Sequence, residues 1–243
     1  MNIDFTNKTV LVTGGTRGIG ASIVRHFANL NGDVIATGVN KDQLHKLNNG
    51  RVNYHYLDLN NKESISDFIG YIDQQRKIDV LINNAGVNKI NSISEIRDEE
   101  WDSIYNINLH GPFVLTRAVS RIMKKNNYGR IVNVASILGV ISREKRAAYS
   151  TTKSGLIGLT KATALDLAKD NILVNSISPG FINTELTKNI LGEKSMKELS
   201  YSIPLKRLGD SDEIAKLVLF LASDQNTYIT GENIIIDGGY TNG

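Results

Sequence analysis

Two patterns of apolar and polar residues alternate along the chain. One predicts strands and the other predicts helices. Short apolar, β-branched runs predict buried strands, the first of them at residues 8–13. Stretches with apolar residues three or four positions apart predict amphipathic helices, the first at 21–30. Further strands are predicted at 33–37, 51–57, 78–82, 129–135, 172–177 and 233–236, and further helices at 61–76, 98–125, 147–169 and 210–222.

Because strands and helices alternate throughout, the pattern predicts one α/β domain over residues 1–243, built on a doubly wound parallel sheet with helices on both faces. Ligand sites of such sheets lie at the carboxyl ends of the strands. No repeat, low-complexity tract or linker divides the chain. The segment 184–204 is polar and only weakly amphipathic, and we interpret it as a mobile substrate flap within the domain.

Composition excludes several classes of protein. Apolar residues make up 41% of the chain, yet no apolar run approaches the length of a membrane span. The N-terminus shows no signal-peptide pattern and the chain has no cysteine, so we expect a cytoplasmic protein without disulfides. The four histidines lack metal-ligand spacing, so no metal site is predicted. The net charge of +3 arises from interleaved acids and bases, which disfavours nucleic-acid binding.

A glycine-rich turn joins the first predicted strand to the first helix. The order strand, turn, helix is the context that a phosphate-binding loop requires. Gly14 would allow the tight turn, Gly18 would let the backbone approach a pyrophosphate at the helix N-terminus, and Gly20 would allow close packing of helix and strand. A glycine turn without a ligand is the alternative.

The residues after the second predicted strand bear on the choice of nucleotide. Folds that prefer NAD place a carboxylate there to hold the ribose 2′-hydroxyl. This chain has no carboxylate in Gly38-Val39-Asn40-Lys41, and both Arg17 and Lys41 offer positive charge. We therefore predict NADP(H) as the preferred cofactor over NAD(H), unless these two cations merely face water.

The chain's most informative stretch is Ser136 together with Tyr149 and Lys153. The tyrosine and lysine are four residues apart, so a helix brings them to one face. A tyrosine with an ordinary pKa of about 10 is a poor proton donor and acceptor at neutral pH, and a nearby ammonium group lowers that pKa. Ser136 would stand at the lip of the strand at 129–135. Since Tyr-x-x-x-Lys is common by chance, the motif needs the rest of the chain for support.

Polar residues at two other places suit a nucleotide site. Asn83-Asn84-Ala85-Gly86 follows a strand and could contact a ribose, or form an ordinary turn. Asn108 falls inside a predicted helix, where an amide usually faces solvent or caps a neighbour, but can also hold a water or a carbonyl at an internal break.

These motifs, taken together in their order and spacing, resemble the short-chain dehydrogenase/reductase family over nearly the full length. The resemblance rests on Thr13-Gly14-x-x-x-Gly18-Ile19-Gly20, Asn83-Asn84-Ala85-Gly86, Asn108, Ser136, Tyr149-x-x-x-Lys153, Pro179-Gly180 and Arg207-x-Gly209-x-x-x-Glu213-Ile214-Ala215. It implies a Rossmann fold and an NAD(P)-dependent oxidoreductase. Within the family, the pattern is most similar to the 3-oxoacyl-acyl-carrier-protein reductase group.

The resemblance also implies a role for each matching residue. Tyr149 would protonate a ketone oxygen, Ser136 would hydrogen-bond that oxygen, and Lys153 would bind the nicotinamide ribose and lower the tyrosine pKa. Asn108 would hold a water on the proton path. The implied cofactor-binding residues are Gly14, Thr16, Arg17, Gly18, Ile19, Gly20, Asn40, Asp58, Leu59, Asn83, Ala85, Gly86, Tyr149, Lys153, Pro179, Gly180, Ile182 and Thr184.

The resemblance says less about partner proteins and assembly. The family usually assembles as tetramers, which implies a homotetramer here. Members that dock an acyl carrier protein use basic residues where this chain has Asn127 and Asp170, although Lys124, Lys125 and Lys169 are close in sequence. The charged run Arg143-Glu144-Lys145-Arg146 edges the implied substrate cleft, and either receives an anionic or carrier-linked substrate or simply faces solvent.

The sequence thus favours a cytoplasmic, NADPH-dependent reductase that converts a ketone to a secondary alcohol, with a 3-oxoacyl thioester as one candidate substrate. An alcohol, polyol or sugar dehydrogenase that works oxidatively is the first alternative. A nucleotide-binding regulator or scaffold without chemistry is the alternative of another class. No nucleic acid or membrane partner is predicted.

Overall fold

The computed structural model describes residues 3–47 and 51–243, which form a parallel β-sheet between two layers of helices. The strands are β1 (Thr9–Val12), β2 (Asp33–Gly38), β3 (Val52–Tyr56), β4 (Val80–Asn83), β5 (Gly129–Val134), β6 (Ile172–Pro179) and β7 (Asn233–Ile236). The helices are α1 (Gly18–Asn29), α2 (Lys41–Leu47), α3 (Lys62–Asp73), α4 (Asp98–Tyr105), α5 (Gly111–Asn126), α6 (Ala147–Leu167), α7 (Glu185–Ser202) and α8 (Ser211–Ala222).

The order of strands across the sheet is β3-β2-β1-β4-β5-β6-β7, and every pair is parallel. The chain runs outward from β1 to β3, then crosses back to β4 beside β1 and continues to β7. This reversal between β1 and β4 is the switch point at which doubly wound sheets open a crevice for a ligand. The predicted Rossmann architecture is confirmed.

Alternate residues of each strand enter opposite layers of the core. Val10 and Val12 belong to a cluster with Phe27 of α1, whereas Leu11 belongs to a second cluster on the other face. Helices α1 and α8 cover the first face, and α3, α5 and α6 cover the second. Both faces of the central strands are buried, which accounts for their nearly continuous apolar sequence.

Local side-chain chemistry marks where several helices begin. The Oδ1 of Asn61 accepts hydrogen bonds from the backbone N–H groups of Glu63 and Ser64, at 2.9 and 3.1 Å, and so caps α3. At α8 the backbone N–H of Asp210 donates to the Oε2 of Glu213 at 2.8 Å. Thr184 caps α7 in the same manner, through a 3.2 Å bond from the Thr187 N–H.

Two predicted elements need correction, and one short helix was not predicted. The helix predicted over 98–125 is divided into α4 and α5 by a π-helical segment, Asn106–His110. Strand β6 continues two residues beyond the predicted 177, to Pro179. The sequence analysis missed α2, because this seven-residue helix buries only Leu44 and carries little periodic signal.

The segment interpreted as a flap contains helix α7. The side chains of residues 186 and 188–194 lie outside the described part of the chain, so the flap stays a prediction. Within residues 3–47 and 51–243, no helix is both long and apolar enough to cross a membrane. Nor does that part of the chain contain a cluster of three or more His, Cys, Asp or Glu side chains suited to a metal ion.

Candidate active site

A cleft of about 360 Å³ opens at the carboxyl edge of the sheet, across the β1/β4 switch point. The loops that follow β1, β2, β4, β5 and β6 all contribute to its walls. Most of the residues implicated by sequence meet there, namely Gly14, Thr16, Arg17, Gly18, Ile19, Gly20, Asp58, Leu59, Ala85, Gly86, Ser136, Tyr149, Lys153, Pro179, Gly180, Ile182 and Thr184. Asn40, Asn83 and Asn108 do not line the cleft.

The glycine turn is shaped by contacts that leave no room for side chains. Gly14 has a φ of 64°, in the left-handed region that favours glycine. A Cβ atom on Gly20 would lie 2.1 Å from the carbonyl oxygen of Gly14. The Nδ2 of Asn84 donates to that same oxygen at 3.1 Å and to the oxygen of Thr13 at 2.9 Å. The turn therefore packs directly against the start of α1 and against the loop after β4.

Ser136 and Tyr149 come together from two elements. The serine follows β5, where its Oγ accepts a 3.1 Å hydrogen bond from the N–H of Leu138, and the tyrosine lies in the first turn of α6. Burial raises the pKa of the Tyr149 phenol, while the nearby Ser136 hydroxyl and the charge of Arg146 act in the opposite direction. The phenol is thus in its protonated form at neutral pH.

Lys153 lies one helical turn beyond the tyrosine and is almost fully buried. Its Nζ donates to the backbone oxygen of Val134 at 2.7 Å and lies 5.7 Å from the centroid of the Tyr149 ring. Burial lowers the pKa of this ammonium to about 8. In the structure, the groups that lower the pKa of Tyr149 are Ser136 and Arg146. The expected lowering of that pKa by Lys153 therefore stays a prediction.

The π-helical segment positions Asn108 behind the wall of the cleft. The fully buried amide accepts from the Val87 N–H and donates to the Val87 oxygen, both at 2.9 Å, and also donates to Thr152 Oγ1 at 3.2 Å. A Cβ on Gly86 would lie 3.5 Å from both the Asn108 Oδ1 and the Lys153 Nζ. Asn108 therefore stands behind the cleft, and its role in proton transfer stays a prediction.

Asn83 was expected to line the ribose and to hold the centre of the sheet; its side chain points into the core, where only the second role is open to it. It is the last residue of β4 and only 2% exposed. Its Nδ2 donates to Thr116 Oγ1 at 3.1 Å and to Asn133 Oδ1 at 2.8 Å, while Asn133 donates to Thr160 Oγ1 at 2.8 Å. This buried chain of polar groups joins the central strands to α5 and α6, and the next residue, Asn84, takes the place in the cleft.

Two residues after β2 are also displaced from the cleft. The Oδ1 of Asn40 accepts from the Gln43 N–H at 3.1 Å, which ties it to the start of α2. The Nζ of Lys41 lies 4.7 Å from the centroid of the Tyr56 ring. Helix α2, which the sequence analysis missed, holds both residues away. Arg17 is thus the cation that remains at this end of the cleft among the described residues.

Several lining residues were not singled out from sequence as cofactor ligands. They include Val39, Asn84, Val87, Asn88, Leu138, Arg143, Arg146, Phe181, Glu185 and Thr187. Among them, Asn88 has a buried Oδ1 with no hydrogen-bond partner in the described structure. Three of them carried a usable signal: Asn84 in the motif after β4, and Arg143 and Arg146 in the charged run before the tyrosine.

The charge of the cleft suits an anionic ligand. Of the described side chains that line it, four are cationic and two are acidic: Arg17, Arg143, Arg146 and Lys153 against Asp58 and Glu185. A helix N-terminus at Gly18 adds partial positive charge next to the glycine turn.

The chain is similar in sequence to a known protein family and to known enzymes. The profile of a family described as "Enoyl-(Acyl carrier protein) reductase" matches residues 14–241. The "3-oxoacyl-[acyl-carrier-protein] reductase FabG" of Rickettsia felis is 37% identical over 237 residues, with 98% of each chain covered.

Solved structures give a similar result. A structure described as "4-hydroxyisoleucine dehydrogenase complexed with NADH" superposes with a TM-score of 0.92 at 35% identity, over 98% of this chain and 100% of that one. A putative NAD(P)-dependent gluconate 5-dehydrogenase of Beutenbergia cavernae with bound NADP has a TM-score of 0.92 at 28% identity, and both chains are covered in full.

Proposed function

We propose a specific reaction for this chain, which belongs to the short-chain dehydrogenase/reductase family and is an NAD(P)-dependent oxidoreductase: the NADPH-dependent reduction of a ketone to a secondary alcohol. The observation that carries the proposal is the meeting of Ser136, Tyr149 and Lys153 on one wall of a cleft that begins at the glycine turn. A non-catalytic scaffold would not need these three side chains in one place.

The cleft fits a dinucleotide. The backbone of the glycine turn is left bare because a Cβ on Gly20 would collide with Gly14, and the N-terminus of α1 faces the same space. The unpartnered Oδ1 of Asn88 offers a hydrogen-bond acceptor further along the cleft. Gly14, Gly18 and Gly20 would hold the pyrophosphate, Asp58 and Leu59 the adenine, and Ala85, Gly86, Ile182 and Thr184 the nicotinamide half. When bound, the nicotinamide supplies the hydride.

Each reacting side chain has a distinct task in this proposal. Tyr149 donates its phenolic proton to the ketone oxygen as negative charge develops there, and Ser136 donates a hydrogen bond to the same oxygen. Lys153 presents a buried ammonium one helical turn away, able to bind ribose hydroxyls and to stabilise the phenolate that forms. Asn108 fixes the segment around Val87 and would hold a water that returns a proton towards Lys153.

A preference for NADPH over NADH is part of the proposal. It is supported by the absence of an acidic side chain at positions 38–41 and by Arg17 at that end of the cleft. The guanidinium suits a 2′-phosphate, because it offers several N–H donors and a permanent charge. Lys41 no longer contributes to the argument, since it lies over Tyr56.

A 3-oxoacyl thioester is the first candidate substrate, because the curated relative is named for that reaction. The surface expected to dock a carrier protein gives limited support. Asp170 forms an ion pair with Lys124, with 3.4 Å between Oδ2 and Nζ, which neutralises one of the basic residues there. We therefore keep carrier-linked and free substrates as separate outcomes of the test.

The second candidate is a dehydrogenase that oxidises an alcohol, polyol or sugar acid. It is favoured by the two solved structures, one described as a 4-hydroxyisoleucine dehydrogenase and the other as a gluconate 5-dehydrogenase. The same phenol would then act as a base, in its ionised form. A homotetramer and a cytoplasmic location remain expectations for either candidate.

The test is one assay panel. NADPH and NADH oxidation would be followed with 3-oxoacyl thioesters, ketosugars and simple diketones, and NADP⁺ and NAD⁺ reduction with diols and sugar acids. The proposal expects ketone reduction with NADPH at rates well above those with NADH. Turnover confined to the oxidative direction would replace it with the second candidate, and no turnover of either kind would overturn both.

A further inference from the structure

Four consecutive charged residues lie in the loop between β5 and α6, and they do not all face the same way. Arg143 and Arg146 line the cleft, whereas Glu144 and Lys145 do not. A turn at Glu144–Lys145, in which Lys145 adopts a φ of 61°, reverses the chain between the two arginines. Both arginines therefore line the cavity from the same loop.

Arg146 is held near the reacting phenol, and Arg143 is held over an aromatic ring of the same cleft. Arg146 directly precedes α6, three residues before Tyr149, and its charge acts on that phenol. The guanidinium of Arg143 lies 5.6 Å from the centroid of the Phe181 ring, and that ring packs edge-on against Tyr240 at 5.1 Å. Phe181, in the segment after β6, thus supports the Arg143 side chain, and Tyr240, in the C-terminal turn, supports Phe181.

Among the described side chains, no carboxylate forms an ion pair with Arg143 or Arg146, although Glu185 lines the same cleft. Burial, and then repulsion from Arg143, lower the pKa of the Arg146 guanidinium, so the protein incurs a cost to keep these charges together. An anionic ligand would relieve that cost.

We propose that Arg143 and Arg146 form an oxyanion subsite, and that the preferred substrate is a small ketone bearing a carboxylate or phosphate group close to its carbonyl. The subsite lies beside Tyr149, so the anion must sit near the reacting carbon rather than at the end of a long carrier arm. The inference rests on the proposed reductase function and names its substrate class.

The experiment compares matched ketones that differ in charge. The pairs are 3-oxobutanoate with its methyl ester, and hydroxyacetone phosphate with hydroxyacetone, each with NADPH and the full-length protein. The inference expects the anion of at least one pair to have the higher kcat/KM, through a lower KM. A preference confined to the first or second pair identifies carboxylate or phosphate as the group that is bound.

Variants locate the effect. Arg146→Gln and Arg143→Gln should lose at least tenfold more kcat/KM with the preferred anion than with its neutral partner, and added salt should reduce the difference in the wild type. Lys145→Gln is the matched control: it removes the same charge from the same loop but outside the cleft, and should change neither substrate by more than about twofold.

A measurement on the unmodified protein keeps the test independent of variant folding. Succinate should inhibit reduction of the neutral ester competitively, and its uncharged diamide should not. The subsite is refuted if succinate and the diamide inhibit alike, if neutral ketones are reduced as well as their anionic partners, or if Lys145→Gln reproduces the arginine variants. In those cases reduction of the neutral ketones still supports the proposed function; if no ketone is reduced, both fail.

Discussion

At the residue scale, Arg17 and Lys41 show how the structure revises a charge argument. Both cations follow from the sequence as candidates for a 2′-phosphate, yet only Arg17 lines the cleft and Lys41 lies over Tyr56. We expect Arg17→Ala to reduce kcat/KM for NADPH by about 10- to 100-fold, the value of a hydrogen bond to a charged group, and to leave NADH within a few-fold. Steady-state kinetics with both nucleotides gives the ratio.

Lys41→Ala is the control for that measurement. It removes a like charge from a residue that is close in sequence to the cleft-lining Val39 but does not itself line the cleft. It should leave both nucleotides within about twofold of the wild type. Equal losses of NADPH and NADH activity in Arg17→Ala would show that the residue shapes the loop instead of selecting the phosphate.

The pH dependence follows from the two groups beside Ser136. Reduction needs a protonated phenol at Tyr149 and a charged ammonium at Lys153, and rising pH removes both. Burial raises the pKa of Tyr149 and lowers that of Lys153 to about 8, so the lysine is the group that loses its proton near neutrality. We expect kcat/KM for reduction to be level below about pH 7 and to fall above about pH 8.

In the oxidative direction the phenolate is the active form, so the two groups act in opposite senses and the alkaline decline should be weaker. Profiles taken at constant ionic strength in overlapping buffers would show this difference. A reductive kcat/KM that increases between about pH 7 and pH 9 contradicts the assigned proton donor.

At the scale of elements, the sequence predicted the strands of the central sheet to within about two residues, because β-branched runs buried on both faces have a strong signal. It offered an internal break at Asn108 as one alternative but could not predict the π-helical form of Asn106–His110, in which Asn108 bonds to the distant Val87 backbone. It also misplaced Asn83, because one further residue of strand turns that side chain into the core.

The contact between the glycine turn and α1 gives a prediction at this scale. A methyl group on Gly20 would meet the Gly14 oxygen at 2.1 Å, so Gly20→Ala must displace the turn. We expect NADPH to bind at least about tenfold more weakly, a loss of roughly 1.4 kcal/mol, with a lower melting temperature. Fluorescence titration and thermal unfolding would measure both effects.

Gly70→Ala is the matched control, because a Cβ at this position in α3 meets nothing within 4 Å. The added methyl should stabilise the helix by about 0.5–1 kcal/mol and leave NADPH binding unchanged. If Gly20→Ala binds NADPH as the wild type does, the turn is not the pyrophosphate site.

At the scale of the whole molecule, the cleft is the feature that sequence reasoning could only partly assemble. Motifs with a short spacing, such as Tyr149 and Lys153, were found because helix geometry alone brings them together. Arg143, Phe181 and Tyr240 meet through tertiary packing of three segments, for which the sequence has no periodic or spacing signal.

Exposed apolar residues on the outer helices bear on assembly. Leu165 of α6 is 83% exposed and Phe113 of α5 is 42% exposed, while β7 forms one edge of the sheet. We expect light scattering to give the mass of a homotetramer, and Leu165→Glu to shift the protein to smaller species. Asp73→Lys, an exposed change on α3, should leave the mass unaltered, and a monomeric wild type would refute the expectation.

The most direct measurement of the central claim is the rate of NADPH-dependent ketone reduction by Tyr149→Phe, with NADPH binding titrated on the same preparation. The variant keeps the aromatic ring and loses only the phenolic hydroxyl group. We predict a fall in kcat of about 10²- to 10⁴-fold, with the dissociation constant of NADPH within about threefold of the wild type. A variant that retains its rate within tenfold, or loses NADPH binding in proportion to its rate, would contradict the account.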